Sequence, residues 1–206
     1  MRRSLVASVS PTEADILDVL ARDDLDAKDR RKALVRLQRV STPASVPLLH
    51  KLLHSPDERI RVGALVALAH AGGLEAVDAM IEALGSDDGL TVGWAAHLLA
   101  KMRAGRAVPF LIECAEQRGS ELGSPGATMF VKALASMRDP RAVGALKLSA
   151  VDADRFTRAA AAHGLAAVNT PESKAALEWA ATQLSWLHAR PIRRALRHAR
   201  SSTTIS

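Results

Sequence analysis

The stretch RIRVGALVALAHAGGLEAVDAMIEAL, from Arg59 to Leu84, reads as helix, turn, helix. Its apolar residues recur at spacings of three and four rather than two. Ile60, Ala64, Leu65 and Leu68 form one stripe, and Val77, Met80, Ile81 and Leu84 form another, with Gly72-Gly73 as the turn between them. Each helix is short and has one apolar face, so a single hairpin is not stable by itself. It needs neighbours that cover the stripes.

The sequence supplies those neighbours by repetition. A helix-central leucine returns at Leu37, Leu68 and Leu99, and again at Leu134, Leu165 and Leu196, in steps of 31 residues except for one of 35 between Leu99 and Leu134. A second column, Val46, Val77, Val108 and Val143, follows nine residues later, with Leu49, Met80, Leu111 and Leu146 three further on. Met102 to Val108 is nearly repeated in Met137 to Val143. At the opening of three units stand Asp26/Arg30, Asp57/Arg61 and Asp154/Arg158, four apart, with the aspartate suited to a helix start. Repetition of short units with one apolar face each predicts an α-solenoid, in which stacking buries a continuous core.

Read this way, residues 1–25 are an N-terminal lead-in and capping helix. The repeats cover about 26–55, 56–86, 87–117, 118–150 and 151–184, and residues 185–206 are a basic C-terminal capping helix and tail. Ser10-Pro11-Thr12-Glu13 reads as a capping box that starts the first helix, from which Ile16, Leu17 and Leu20 cover the first repeat. The apolar part of Met1 to Ser10 is far shorter than a secretion signal requires, and no run approaches a membrane span. Cys114 is the single cysteine, set among Leu111, Ile112 and Ala115 as core filler, and a lone thiol fits a reducing cytoplasm. The expected location is cytoplasmic. With 3% aromatic residues, no tyrosine and no convincing alternation, the expected class is all-α.

The opening Asp-x-x-x-Arg, Ala64 and Leu68 on the first helix, and Ala76-Val77-x-x-Met80 on the second resemble HEAT-like repeats of the type found in phycobilisome lyases. The resemblance runs from about Asp26 to Gln183, with Arg190 to Arg200 as a partial closing helix. It implies a solenoid of about five helical hairpins whose second helices line a concave, partner-binding face. The residues that carry it are packing residues, and they specify no chemistry.

Charge is uneven along the chain. The net charge is +6, but residues 26–55 carry +5, residues 56–86 carry −3, and residues 185–206 contain five arginines and no acid. Basic ends around an acidic middle interrupt the stripe that tracks a nucleic-acid backbone. Arg190, Arg193, Arg194 and Arg197, with Arg200, are the densest cluster. They read either as a solvated capping helix, favoured by cations at a helix C-terminus, or as an anchor for an acidic partner.

The remaining candidates are departures from the repeat. His97, Lys132 and His163 occupy equivalent positions in three repeats, giving either a polar ladder or a solvent-facing column. An insertion at 117–126 and the loss of the Asp/Arg pair, with Gly123 and Ala127 in its place, mark the fourth repeat. Trp94, Phe110, Met129 and Phe130 surround it. They read either as a contact patch or as larger side chains filling the gap in a degenerate repeat. Trp179 and Trp186 read either as a seal on the terminal core or, if exposed, as an aromatic pair that docks a partner or a second copy. His50 and His54 have a metal-compatible spacing, but Lys51 replaces the glutamate of a His-Glu-x-x-His motif, so no metal is expected. No catalytic motif or cofactor fingerprint is present in the sequence.

Three functions follow in order. The first is a non-catalytic scaffold or adaptor that binds another protein on the concave face. The second is a binder of nucleic acid or another polyanion through the basic ends. The third is a bilin-lyase-like or other small-molecule enzyme, suggested by the resemblance without a nucleophile to support it.

Overall fold

The computed structural model describes residues 12–22, 24–118, 126–152 and 154–201. Their regular structure is helical throughout. The chain forms two compact units, residues 1–76 and 77–206, and the division falls within one helix. Both are built from stacked helical hairpins, the architecture of an all-α solenoid.

The first unit contains α1 (Glu13–Leu20), α2 (Ala27–Leu37), α3 (Val46–Leu52), α4 (Glu58–Ala71) and the start of α5 (Gly73–Glu82). Here α2 packs against α1 and α4, and α3 packs against α4. The helix start differs from the sequence expectation. Thr12, not Ser10, caps α1, and Asp15 closes the capping box in the role assigned to Glu13. The glutamate is used elsewhere: Glu13 accepts hydrogen bonds from the Thr42 backbone N–H at 2.8 Å and from its hydroxyl, tying α1 to the turn after α2.

The second unit continues with α6 (Gly89–Lys101), α7 (Val108–Arg118), α8 (Gly126–Met137), α9 (Val143–Ser149), α10 (Arg155–Val168), α11 (Pro171–Gln183) and α12 (Arg190–Ser201). The first helices of successive hairpins, α6, α8 and α10, pack side by side, and α12 joins that row against α10. The second helices α7, α9 and α11 form the other row. Pro191 is the second residue of α12, where proline's missing N–H costs nothing.

The sequence columns are the core. Leu37, Leu68, Leu99, Leu134 and Leu165 are completely buried, as are Leu49, Met80, Leu111 and Leu146. Leu196, on the last described helix, is half-buried. The opening aspartates are the helix caps: Asp26, Asp57, Asp88 and Asp154 each accept from backbone N–H groups of the first turn. The arginines four residues on do a second job. Arg30 donates to the Arg22 carbonyl at 2.9 Å, Arg61 to the Ser55 carbonyl at 2.8 Å, and Arg158 to the Asp152 carbonyl at 2.6 Å. Each guanidinium thus satisfies a carbonyl left over from the preceding segment, fixing the angle at which the next hairpin begins.

Helix ends use a residue of positive φ four positions after the register leucine. Gly72, Arg103, Arg138 and Asn169 have φ of 68, 54, 53 and 55°. Glycine and asparagine suit this conformation, whereas arginine adopts it at a cost.

Small residues let the first helices of the second unit approach closely. A Cβ on Gly126 would strike the Gly89 backbone, one on Gly93 would lie 2.9 Å from the Gly126 carbonyl oxygen, and one on Gly164 would lie 2.5 Å from the Ala135 Cβ.

Candidate functional site

In the irregular fourth repeat the described residues are 118 and 126–150. Phe130 is completely buried and belongs to the core, so it presents nothing to a partner. Its ring is among the largest fully buried side chains, where aromatic area contributes most. Met129 is half-buried beside the backbone of Gly93. Trp94 is also half-buried, and its ring meets the His97 imidazole edge-on at 5.9 Å. Phe110, by contrast, is 46% exposed on α7. The loop at 119–125, including Gly123, lies outside the described residues.

His97, Lys132 and His163 all point to solvent from α6, α8 and α10. No hydrogen bond among the described residues joins the three, so the ladder reading gives way to the solvent-facing column. The helical wheel explains this, because each lies two residues before a fully buried leucine.

His50, on α3, and His54, in the turn just beyond it, meet edge to face with ring centroids 5.7 Å apart. Cys114 is buried, its thiol directed at the Leu84 carbonyl at 3.8 Å.

The two C-terminal tryptophans part company. Trp179 is half-buried on α11 with the Lys147 ammonium 4.4 Å from its ring centroid, a cation–π contact linking α9 to α11. Trp186 does not seal the core: it is 70% exposed, and Leu187 beside it is 60% exposed. Both sit in the turn leading into α12, where the Ser185 hydroxyl bonds His188 Nδ1 at 2.9 Å and the Ala189 N–H donates to the Ser185 carbonyl at 3.0 Å. Those bonds fold the turn back on itself and leave its two central side chains outside. On α12, Ile192, Ala195 and Ala199 are buried, while Arg190, Arg194 and Arg197 are exposed and Arg193 is half-buried.

Two further features were not picked out from sequence. Leu148, on α9, is 57% exposed although it lies only two residues beyond the fully buried Leu146. Helical geometry turns it out of the stripe, so a wheel drawn from Leu146 would have found it. Arg106 and Arg141, at the hairpin turns, are neutralised by Asp78 at 3.0 Å and Asp139 at 2.7 Å. The hydrogen bonds from Arg141 hold the Asp139 carboxyl below the usual carboxylate range.

These features define a helical-repeat protein. A family model described as HEAT repeats matches residues 14–100, where the HEAT-like reading is therefore met. Among solved structures, a designed armadillo repeat protein in complex with the peptide (KR)4 is similar at 16% identity and a TM-score of 0.55, covering 91% of this chain and 97% of that one. An engineered protein is similar at 21% identity and a TM-score of 0.53, covering 92% and 96%. The complex of two phycocyanin lyase subunits from Nostoc is similar at 18% identity with a TM-score of 0.46, covering 97% and 99%. These likenesses concern the fold. No curated protein matches the sequence. Among the described residues no helix is long and apolar enough to cross a membrane.

Proposed function

We propose that this chain is a non-catalytic scaffold that binds another protein along the exposed side of its second helices. The observation that carries the reading is that α7 and α9, neighbours in the second row, each expose a large apolar side chain: Phe110 at 46% and Leu148 at 57%. Single exposed apolar residues are ordinary on any surface, but two large ones on adjacent helices of one row mark a contact surface. Glu113 and Glu116, on the same helix as Phe110, are exposed and supply a polar rim. The resemblance to HEAT-like repeats supports the reading, because partners of such proteins commonly bind along the second helices. A designed armadillo repeat protein of similar fold was solved with the peptide (KR)4 bound, which supports the reading.

The test is affinity capture from the native cell after nuclease treatment, comparing wild type with a Phe110→Ser/Leu148→Ser double variant. The reading expects a defined protein that is retained by wild type and lost from the variant, while both have the same unfolding midpoint. Equal capture by both proteins would reject this surface.

A further inference from the structure

The four arginines of α12 form one stripe. Arg190, Arg193, Arg194 and Arg197 are at positions i, i+3, i+4 and i+7, opposite the buried Ile192, Ala195 and Ala199. Like charges at these spacings repel one another. Because α12 begins at Arg190, three of the four stand in its first five residues, where the helix dipole disfavours cations. The expectation of cations stabilising a helix C-terminus therefore fails for Arg190, Arg193 and Arg194. Among the described residues, no carboxylate pairs with any of the four. At the N-terminal end of the stripe, the ordered turn holds Trp186 and Leu187 in solvent at 70% and 60% exposure. An uncompensated cationic row and an uncovered apolar pair are each unfavourable in the isolated chain, and they adjoin.

We propose that this end of the second unit docks an acidic segment of a partner protein, with carboxylates along the arginine stripe and an apolar side chain against Trp186 and Leu187. The stripe runs about 10 Å along the helix, enough for two or three carboxylates of one segment. Charge complementarity selects the sign of the partner, and bidentate guanidinium–carboxylate pairing suits a row of arginines. The apolar pair selects the kind of polymer: a base stacks on Trp186 but offers nothing aliphatic to Leu187, whereas a protein segment covers both. This inference rests on the protein-binding reading and adds a second contact surface, distinct from Phe110 and Leu148.

The experiment uses the full chain and fluorescein-labelled 12-residue peptides in anisotropy titrations. One peptide is glutamate with leucine at every fourth position, and the other is glutamate throughout. The mixed peptide is expected to bind more tightly, with affinity falling as salt rises. Arg190→Gln/Arg194→Gln/Arg197→Gln is expected to weaken both peptides at least tenfold. Trp186→Ala/Leu187→Ala is expected to weaken the mixed peptide at least threefold and leave the glutamate peptide unchanged. Unfolding midpoints should not move, because these side chains face solvent. Unchanged peptide binding in both variants overturns the proposal. So does tighter binding of a 20-nucleotide single strand or of phosphatidylserine vesicles than of the mixed peptide, or light scattering showing that the stripe is covered by a second copy. Failure here leaves capture through Phe110 and Leu148 standing, and loss of that capture leaves the peptide result standing.

Discussion

The hydroxyls of Thr128 and Thr157 lie 3.0 Å apart, joining α8 to α10 through a buried contact. Both also reach Asp154 Oδ2, at 3.2 and 2.9 Å, and the same oxygen accepts the Thr157 backbone N–H at 2.7 Å. One carboxylate therefore caps α10 and binds the neighbouring repeat. Asp154→Ala is expected to cost roughly 1–2 kcal/mol, the upper range for a helix cap, measured by urea unfolding.

The same site predicts a pH dependence. The Thr157 backbone N–H, followed by the threonine hydroxyls, holds the Asp154 carboxyl below its ordinary value of 3.8. A depressed folded-state value means that the stabilisation is complete above 3.8 and is lost as pH falls through the lower, folded value. Wild type should thus lose stability below about pH 4 more steeply than Asp154→Asn, which keeps a capping oxygen but cannot titrate. Parallel stability curves for the two proteins between pH 5 and 2 would exclude this role.

Arg103 and Arg138 hold a positive φ, of 54 and 53°, at the position where Gly72 stands in the first unit. Arg103→Gly and Arg138→Gly should each stabilise the fold by roughly 0.5–1 kcal/mol, since relief of the Cβ clash outweighs the added freedom of the unfolded chain. A thermal melt showing destabilisation would mean that these arginines make contacts worth more than the strain.

Gly126 and Gly164 admit no side chain without displacing the Gly89 backbone and Ala135. Gly126→Ala and Gly164→Ala are expected to destabilise by about 1–3 kcal/mol as overpacking, despite alanine's better helix propensity. Gly144, with open space around its Cβ position, is the control: Gly144→Ala should stabilise α9 by up to about 1 kcal/mol. Equal responses at the three sites in denaturant titrations would contradict the close approach of α6, α8 and α10.

Phe130, in the irregular fourth repeat, and Phe110, in the third, separate core from surface. Phe130→Ala should cost about 3–5 kcal/mol as a cavity in a filled core, while Phe110→Ala should change stability by about 0.5 kcal/mol or less. Similar urea midpoints for the two variants would move Phe130 out of the core.

The repeat, its all-helical class and its core columns follow from the sequence alone. Apolar spacing, Asp caps and a period near 31 residues are local signals, and the stacked helices obey them at Leu37, Leu68, Leu99, Leu134 and Leu165. What depended on three dimensions was the allocation of similar side chains to different surroundings. Phe130 went to the core and Phe110 to solvent; Trp179 packed beneath Lys147 while Trp186 stayed exposed. Periodicity places a residue on a helix, but its burial depends on whether a neighbouring helix covers that face. The start of α12 likewise put Arg190, Arg193 and Arg194 at the positive end of its dipole, reversing the electrostatic meaning of the arginine cluster.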